Sequence, residues 1–271
     1  MIRIAITGST GFIASAIYKK LKNFFLFTLF SRTKRAGLTH IKKYSDVKKK
    51  FDFLLYLSEE ANSNIVNTLD KKEITKNQTV LKKLSRRFKN KLIYFSSAAI
   101  YSDKEKKKIK ETNQTFPKTN YSKNKIICER IVKKNNGIIL RLTNILGKKM
   151  PSRNIVTTVM SQLSKNNQKY VVIHNKFPIR DFLHIDDLVS LIKKIILNPV
   201  SGTFNVGSGV GLKIEKLAKE IINYKKKNYT KLISENKHYY FSKKVLDISK
   251  VKSTYKWKPK IKILQNLSKI S

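Results

Sequence analysis

A single cysteine, Cys128, is all the disulfide capacity this 271-residue chain has, which excludes an internal disulfide framework and fits a reducing compartment. On its sequence spacing Cys128 reads as a core residue rather than a nucleophile. Long apolar runs are also missing. The longest dense one, Phe24 to Phe30, falls far short of the roughly 20 residues a membrane helix needs. Met1-Ile2-Arg3 leads directly into a strand pattern with no signal-peptide character, so a cytoplasmic location without a membrane partner is expected. Acidic residues are scarce: 17 Asp and Glu stand against 59 Lys and Arg, a net charge of +42. A surplus of that size ordinarily raises nucleic acid or an anionic membrane as a partner. Here the lysines are spread along the whole chain in company with Asn, Ile, Phe and Tyr. That is the mark of compositional drift on a solvated surface, so nucleic acid is not the expected partner. No metal site is expected.

What is present is enough apolar material, 41% of residues, for one large α/β unit or two closely packed lobes. Ile2, Ile4 and Ile6 alternate with Arg3, Ala5 and Thr7, and Gly8-Ser9-Thr10-Gly11-Phe12-Ile13-Ala14 follows at once. The pattern predicts a strand, a glycine turn and a helix with Ile13, Ala16, Ile17 and Leu21 inward. Such a turn binds phosphate, because glycine lets the backbone approach a pyrophosphate and the helix start aims N–H groups at it. The next strand, Phe24 to Phe30, ends in Ser31-Arg32. A small polar residue followed by arginine suits a 2′-phosphate, favouring NADP over NAD; Arg32 as one more surface cation is the plain alternative. A buried strand over 51–57, a helix over 74–88, and strands over 92–95 and 138–142 complete an alternation that predicts a doubly wound parallel sheet. Ser96 and Ser97 then lie past the carboxyl end of a strand, where such sheets place ligands.

Asn120-Tyr121-Ser122-Lys123-Asn124-Lys125 sets a phenol and an ammonium four residues apart on one helix face. Tyr121, Lys125, Cys128 and Val132 form its stripe, widened by Ile127 and Ile131, and Asn135-Asn136-Gly137 stops it. A unit charge about 4 Å from a phenol at an effective dielectric of about 20 is worth roughly 4 kcal/mol, about three pKa units. That is enough to bring a tyrosine toward acid and base work near neutrality.

With these motifs in order, the chain resembles the extended short-chain dehydrogenase/reductases, in particular the NAD-dependent epimerase/dehydratase family acting on nucleotide sugars. The matching residues are Gly8-x-x-Gly11-x-x-Ala14, Phe95 to Tyr101, Pro117-x-x-x-Tyr121-x-x-x-Lys125, Arg141-x-x-Asn144-x-x-Gly147, Arg180 to Asp187, Thr203 to Gly209, and the tail Asp247 to Lys250 with Trp257-Lys258-Pro259. The resemblance covers nearly the whole chain. It implies a Rossmann sheet over residues 1–150, rejoined by about 180–210, and a smaller C-terminal substrate-binding lobe over 151–271. It implies Tyr121 as the proton donor and acceptor, Lys125 as holder of the nicotinamide ribose, and Ser97 as the hydrogen bond to the reacting sugar oxygen. Gly8, Thr10, Gly11, Phe12, Ile13 and Leu57 would line the NAD or NADP, and Thr143 and Asn144 would lie near nicotinamide and substrate. The Arg180 to Asp187 segment would be structural, with His184 outside the chemistry.

Three departures qualify the pattern. Ala98 and Ala99 stand where the family's dehydratases carry an Asp-Glu pair, which disfavours dehydration. Leu57-Ser58-Glu59 replaces Leu-Ala-Ala, placing a carboxylate by the cofactor. Lys243 or Lys244 stands where an arginine often grips the sugar-nucleotide pyrophosphate. The expected function is NAD(P)-dependent oxidoreduction of a nucleotide sugar, as a 4-epimerase or a 4-keto reductase. A non-catalytic dinucleotide-sensing or nucleic-acid-binding protein on the same fold is the alternative, and a homodimer stays open.

Overall fold

A computed structural model describes residues 1–152, 154–165, 169–227 and 230–270. Its first half alternates as the pattern requires: β1 (Arg3–Thr7), α1 (Phe12–Leu21), β2 (Leu26–Ser31), β3 (Thr39–His40), β4 (Phe53–Tyr56), α2 (Ser63–Thr68), α3 (Lys71–Phe88), β5 (Leu92–Ser97), α4 (Asn120–Lys133) and β6 (Ile138–Leu142). The second half runs through β7 (Asn144–Leu146), α5 (Ile155–Leu163), β8 (Tyr170–Ile173), β9 (Ile179–His184), α6 (Ile185–Leu197), β10 (Gly202–Val206), β11 (Gly211–Lys213), α7 (Ile214–Tyr224), β12 (Lys231–Ser234), β13 (Lys243–Lys244) and α8 (Ser249–Tyr255). Seven strands pair in the order β10-β6-β5-β4-β1-β2-β3, every pair parallel. This is the expected doubly wound sheet, with its order reversing between β1 and β4.

Period-two side chains divide the sheet's two faces. Phe53, Leu55, Ile93, Phe95, Ile138 and Leu140 pack with Ile17 and Leu21 of α1 and Leu188 to Ile196 of α6. Leu54, Tyr56, Leu92, Tyr94 and Ile139 pack with Leu81, Leu84 and Phe88 of α3 and Cys128 and Val132 of α4. A separate core joins α5, β8, α7 and the end of the chain through Val156, Val171, Leu217, Ile221, Ile263 and Leu267. The stretch Leu246 to Trp257 returns to the first core, so the C-terminal part contributes to both.

Element ends follow local chemistry. Asp70 accepts from Glu73 N and starts α3 three residues ahead of the apolar stripe that announces it. Thr119 and Ser122 form a reciprocal cap that starts α4. The buried stripe of α4 differs from expectation: Ile127 is exposed, while Glu129 and Ser122 are buried because each has a polar partner. Among the described residues no helix is long and apolar enough to cross a membrane.

Candidate active site

The carboxyl ends of β1 and β4 meet at the glycine turn. Gly8 has φ +69°, and a Cβ there would lie 2.3 Å from the Leu57 carbonyl oxygen and 2.8 Å from Ser58 Cα, so only glycine fits. Ser9 Oγ lies 3.0 Å from both the Ile6 and Phe30 carbonyls and stitches the turn to the end of β2. Gly11 is the N-cap of α1 and supplies no side-chain cap, which leaves the first-turn N–H groups open. Thr10 and Gly11 are exposed beside them; Phe12 and Ile13 are half-buried against the first core. The Thr7 hydroxyl, buried at the end of β1, has no partner among the described residues. An open helix start, a cradle that any Cβ would fill and an unpartnered buried hydroxyl fit a dinucleotide pyrophosphate. At the end of β2, Ser31 is buried with Oγ accepting from Thr33 N, and the exposed Arg32 guanidinium lies 5.5 Å from the Tyr44 ring centre.

Beyond β5, Ser97 Oγ accepts from Ala99 N at 3.1 Å, leaving its own proton to donate. Ser96 is turned inward, its hydroxyl donating to Glu129 Oε1 at 2.6 Å. Of the two serines, Ser97 is therefore the one with a hydroxyl to offer a ligand. The turn that Ser97 opens packs against α4, which carries Tyr121 and Lys125. Tyr121 is half-buried, and its backbone N donates to Asn67 Oδ1 at 3.0 Å, fastening α2 to the first turn of α4. The Lys125 ammonium sits 5.7 Å from the Tyr121 ring centre and 5.0 Å from that of Tyr94. It donates to the Phe95 carbonyl at 2.9 Å and to Glu59 Oε2 at 2.6 Å. Tyr94 OH also donates to that oxygen, at 2.9 Å. Burial acts to strip the ammonium of its charge; Glu59 foremost, with Tyr121 and Cys128, outweighs it, and the Lys125 pKa is raised above the ordinary lysine value.

Other motif residues serve the framework. Arg141 pairs with Glu129 through Nε at 3.0 Å and Nη2 at 2.7 Å, and its Nη1 donates to Tyr101 OH at 2.6 Å. Tyr101 OH in turn donates to Asn205 Oδ1 at 2.9 Å. Asp181, wholly buried, accepts from the backbone N of Ser208, Gly209 and Leu246 and from Ser208 Oγ. Its carbonyl accepts from Thr143 Oγ1 and Asn144 Nδ2, so both of those side chains are occupied by the framework. His184 Nδ1 accepts from Asp186 N and caps α6.

A basic cluster stands where β13 pairs with β9. Lys243 Nζ is turned onto the Lys106 carbonyl, whereas Lys244 lies among Arg180, Lys118 and Asp103. Burial, and then the Arg180 charge, lower the Lys244 pKa to about 8. Arg180 Nη2 is 3.7 Å from Asp103 Oδ2, and that lone carboxylate leaves the cluster net positive. Sequence reasoning missed Lys118, Asn67 and the partners of Glu59 and Glu129. Only Glu59 carried a signal, as a carboxylate where the resemblance leads one to expect alanine.

Comparisons with known proteins follow the same lines. At 28% identity over 254 residues, the chain is similar to an ADP-L-glycero-D-manno-heptose-6-epimerase of Brachyspira hyodysenteriae, with 80% of each covered. It is 27% identical over 235 residues to a GDP-6-deoxy-D-talose 4-dehydrogenase of Aggregatibacter actinomycetemcomitans, covering 80% of this chain and 78% of that one. Its fold is shared with a UDP-N-acetylglucosamine 4-epimerase from Methanobrevibacter ruminantium M1, with a TM-score of 0.85 at 21% identity over 99% of this chain and 96% of that one. The family model described as NAD dependent epimerase/dehydratase matches residues 4–207, three quarters of the sequence, and the chain belongs to that family.

Proposed function

We propose that this protein is an NAD(P)-dependent oxidoreductase of a nucleotide sugar, working as a 4-epimerase or a 4-keto reductase. The observation that carries the reading is the placement of Tyr121 and Lys125 on one face of α4, packed on the turn that Ser97 opens. Gly8, the open start of α1 and Leu57 would hold the dinucleotide, with Ser31 and Arg32 at its ribose end. The nicotinamide supplies hydride exchange with the sugar C4 when bound. Ser97 donates a hydrogen bond to the C4 oxygen and orients it. Tyr121 takes the proton of that hydroxyl as C4 is oxidised, or gives a proton to the carbonyl oxygen as C4 is reduced. Lys125 has two of its three N–H bonds committed, to Glu59 and Phe95, and the third remains for a ribose hydroxyl.

Two observations support a nucleoside diphosphate as the substrate handle. Arg180, Lys244 and Lys118 share one carboxylate, a surplus of positive charge suited to a diphosphate. Two of the relatives are named for diphosphate-linked sugars. Ala98 and Ala99 provide no acid or base after Ser97, which weighs against dehydration.

The test is turnover on a panel of UDP-, GDP- and ADP-hexoses and their 4-keto forms, with NAD or NADPH supplied. Tyr121→Phe should lose at least about a hundredfold in turnover, the scale of positioned acid–base catalysis, while NADH affinity changes by less than about threefold. Retained turnover in Tyr121→Phe sinks the assignment. Cofactor that copurifies and cycles without net consumption marks an epimerase; stoichiometric NADPH consumption marks a reductase.

A further inference from the structure

We propose that Glu59 is a positioning residue for Lys125, its buried carboxylate holding the ammonium in one place between β5 and α4. The inference rests on the dinucleotide reading above and adds a residue to it. The two side chains are 7% and 8% exposed and meet at 2.6 Å across 66 residues of sequence. Tyr94 OH and the Phe95 carbonyl complete the arrangement from β5, one bonding the carboxylate and the other the ammonium. Glu59 Oε1 has no partner among the described residues. The contacts therefore concentrate on the one oxygen that holds Lys125.

This geometry changes the meaning of a carboxylate at the exit of β4. A lone negative charge there would repel a pyrophosphate; paired with Lys125 it forms a net-neutral unit. The cation stays charged where burial alone would strip it. The titratable groups facing Lys125 are Glu59 from the loop after β4, Tyr94 from β5, and Tyr121 and Cys128 from α4. Tyr56 of β4 faces Glu59. Glu59 is the one carboxyl among these groups, it bonds the ammonium directly, and it is the foremost of the influences that raise the Lys125 pKa, so the ammonium depends on it.

The experiment follows NADH affinity and apo-protein melting from pH 7 to 10 in wild type, Glu59→Gln and Glu59→Asp. Wild-type affinity should stay flat across this range as far as Lys125 governs it. Glu59→Gln should bind NADH about tenfold more weakly at pH 7 and lose a further fewfold by pH 9.5, as the uncompensated Lys125 sheds its proton. The sign for stability is opposite. Once the folded-state pKa of Lys125 drops below its unfolded value, the folded state binds fewer protons and gains stability as pH rises, so the melting gap to wild type narrows. Glu59→Asp keeps the charge and should restore the flat profile with weaker binding, and it carries the test if Glu59→Gln fails to fold. Affinity and melting curves of Glu59→Gln that run parallel to wild type at every pH overturn the role given to Glu59. A wild-type protein that binds neither NADH nor NADPH overturns the dinucleotide reading as well.

Discussion

Glu129, on the buried face of α4, grips Arg141 of β6 through both Nε and Nη2, and the same arginine reaches Tyr101 across the carboxyl end of the sheet. Both members of the pair are buried, with side-chain exposures of 7% and 10%. Removing one leaves a charge without its partner in the core. Glu129→Leu should lower unfolding stability by about 3–5 kcal/mol, and the double change Glu129→Leu with Arg141→Met should recover at least half of that. Urea unfolding of the two variants beside wild type decides; Glu129→Leu within about 1 kcal/mol of wild type would show the pair to be dispensable.

Gly8 and Gly37 share a left-handed backbone, φ +69° and +73°, but differ in surroundings. A Cβ on Gly37 meets nothing within 4 Å, whereas one on Gly8 collides with the backbone of Leu57 and Ser58. Gly37→Ala should cost about 1–2 kcal/mol for conformation alone, and Gly8→Ala clearly more, with loss of NADH binding. Equal effects at the two positions would remove the close approach from the account of the cofactor site.

Lys244 titrates where an enzyme works. Its pKa of about 8 means that the cluster with Arg180 and Lys118 loses a charge as pH rises from 7 to 9. Affinity for UDP, a simple nucleoside diphosphate, should fall by up to about tenfold over that interval, the scale of one charge-assisted hydrogen bond. Lys244→Arg keeps its charge and should abolish the drop. Calorimetric titration at several pH values reads this directly, and an unchanged slope in Lys244→Arg would assign the dependence to another group.

Arg32 tests the choice between the two nicotinamide cofactors. If its guanidinium faces a 2′-phosphate, Arg32→Ala should weaken NADPH by about tenfold and NADH by less than twofold. Equal, small changes for both cofactors would leave Arg32 as a surface cation stacked on Tyr44.

The sheet was legible because its strands are apolar on both faces: the strand expected over 138–142 is β6, and the run over 51–57 contains β4. Helix starts were less legible, since the onset of α3 depends on the Asp70 cap rather than on the apolar stripe. At the site, the four-residue spacing of Tyr121 and Lys125 and the Gly8 turn could be read locally. The partners of Lys125 and Arg141 could not, because Glu59 lies 66 residues away and Glu129 on a different element from the arginine it holds. The choice between Lys243 and Lys244 also waited on structure. Adjacent strand residues point to opposite sides, and only the register of β13 on β9 decides which one faces Arg180.

Asp181 has a mechanical consequence. One side chain and one carbonyl on β9 gather donors from Thr143 and the first residue of β7, from the loop after β10 and from the start of the tail at Leu246. A methyl group on Gly207 would lie 2.5 Å from its Oδ2, so the seam has no slack. It fixes β9 to the loop after β10 and to the tail at Leu246. Pulling β9 from these segments would break several hydrogen bonds at once, those from Gly209 and Leu246 being buried. Outside that joint Tyr239, Tyr240 and Phe241 stand exposed, with Tyr239 packed edge-on against Phe177 at 5.5 Å between ring centres.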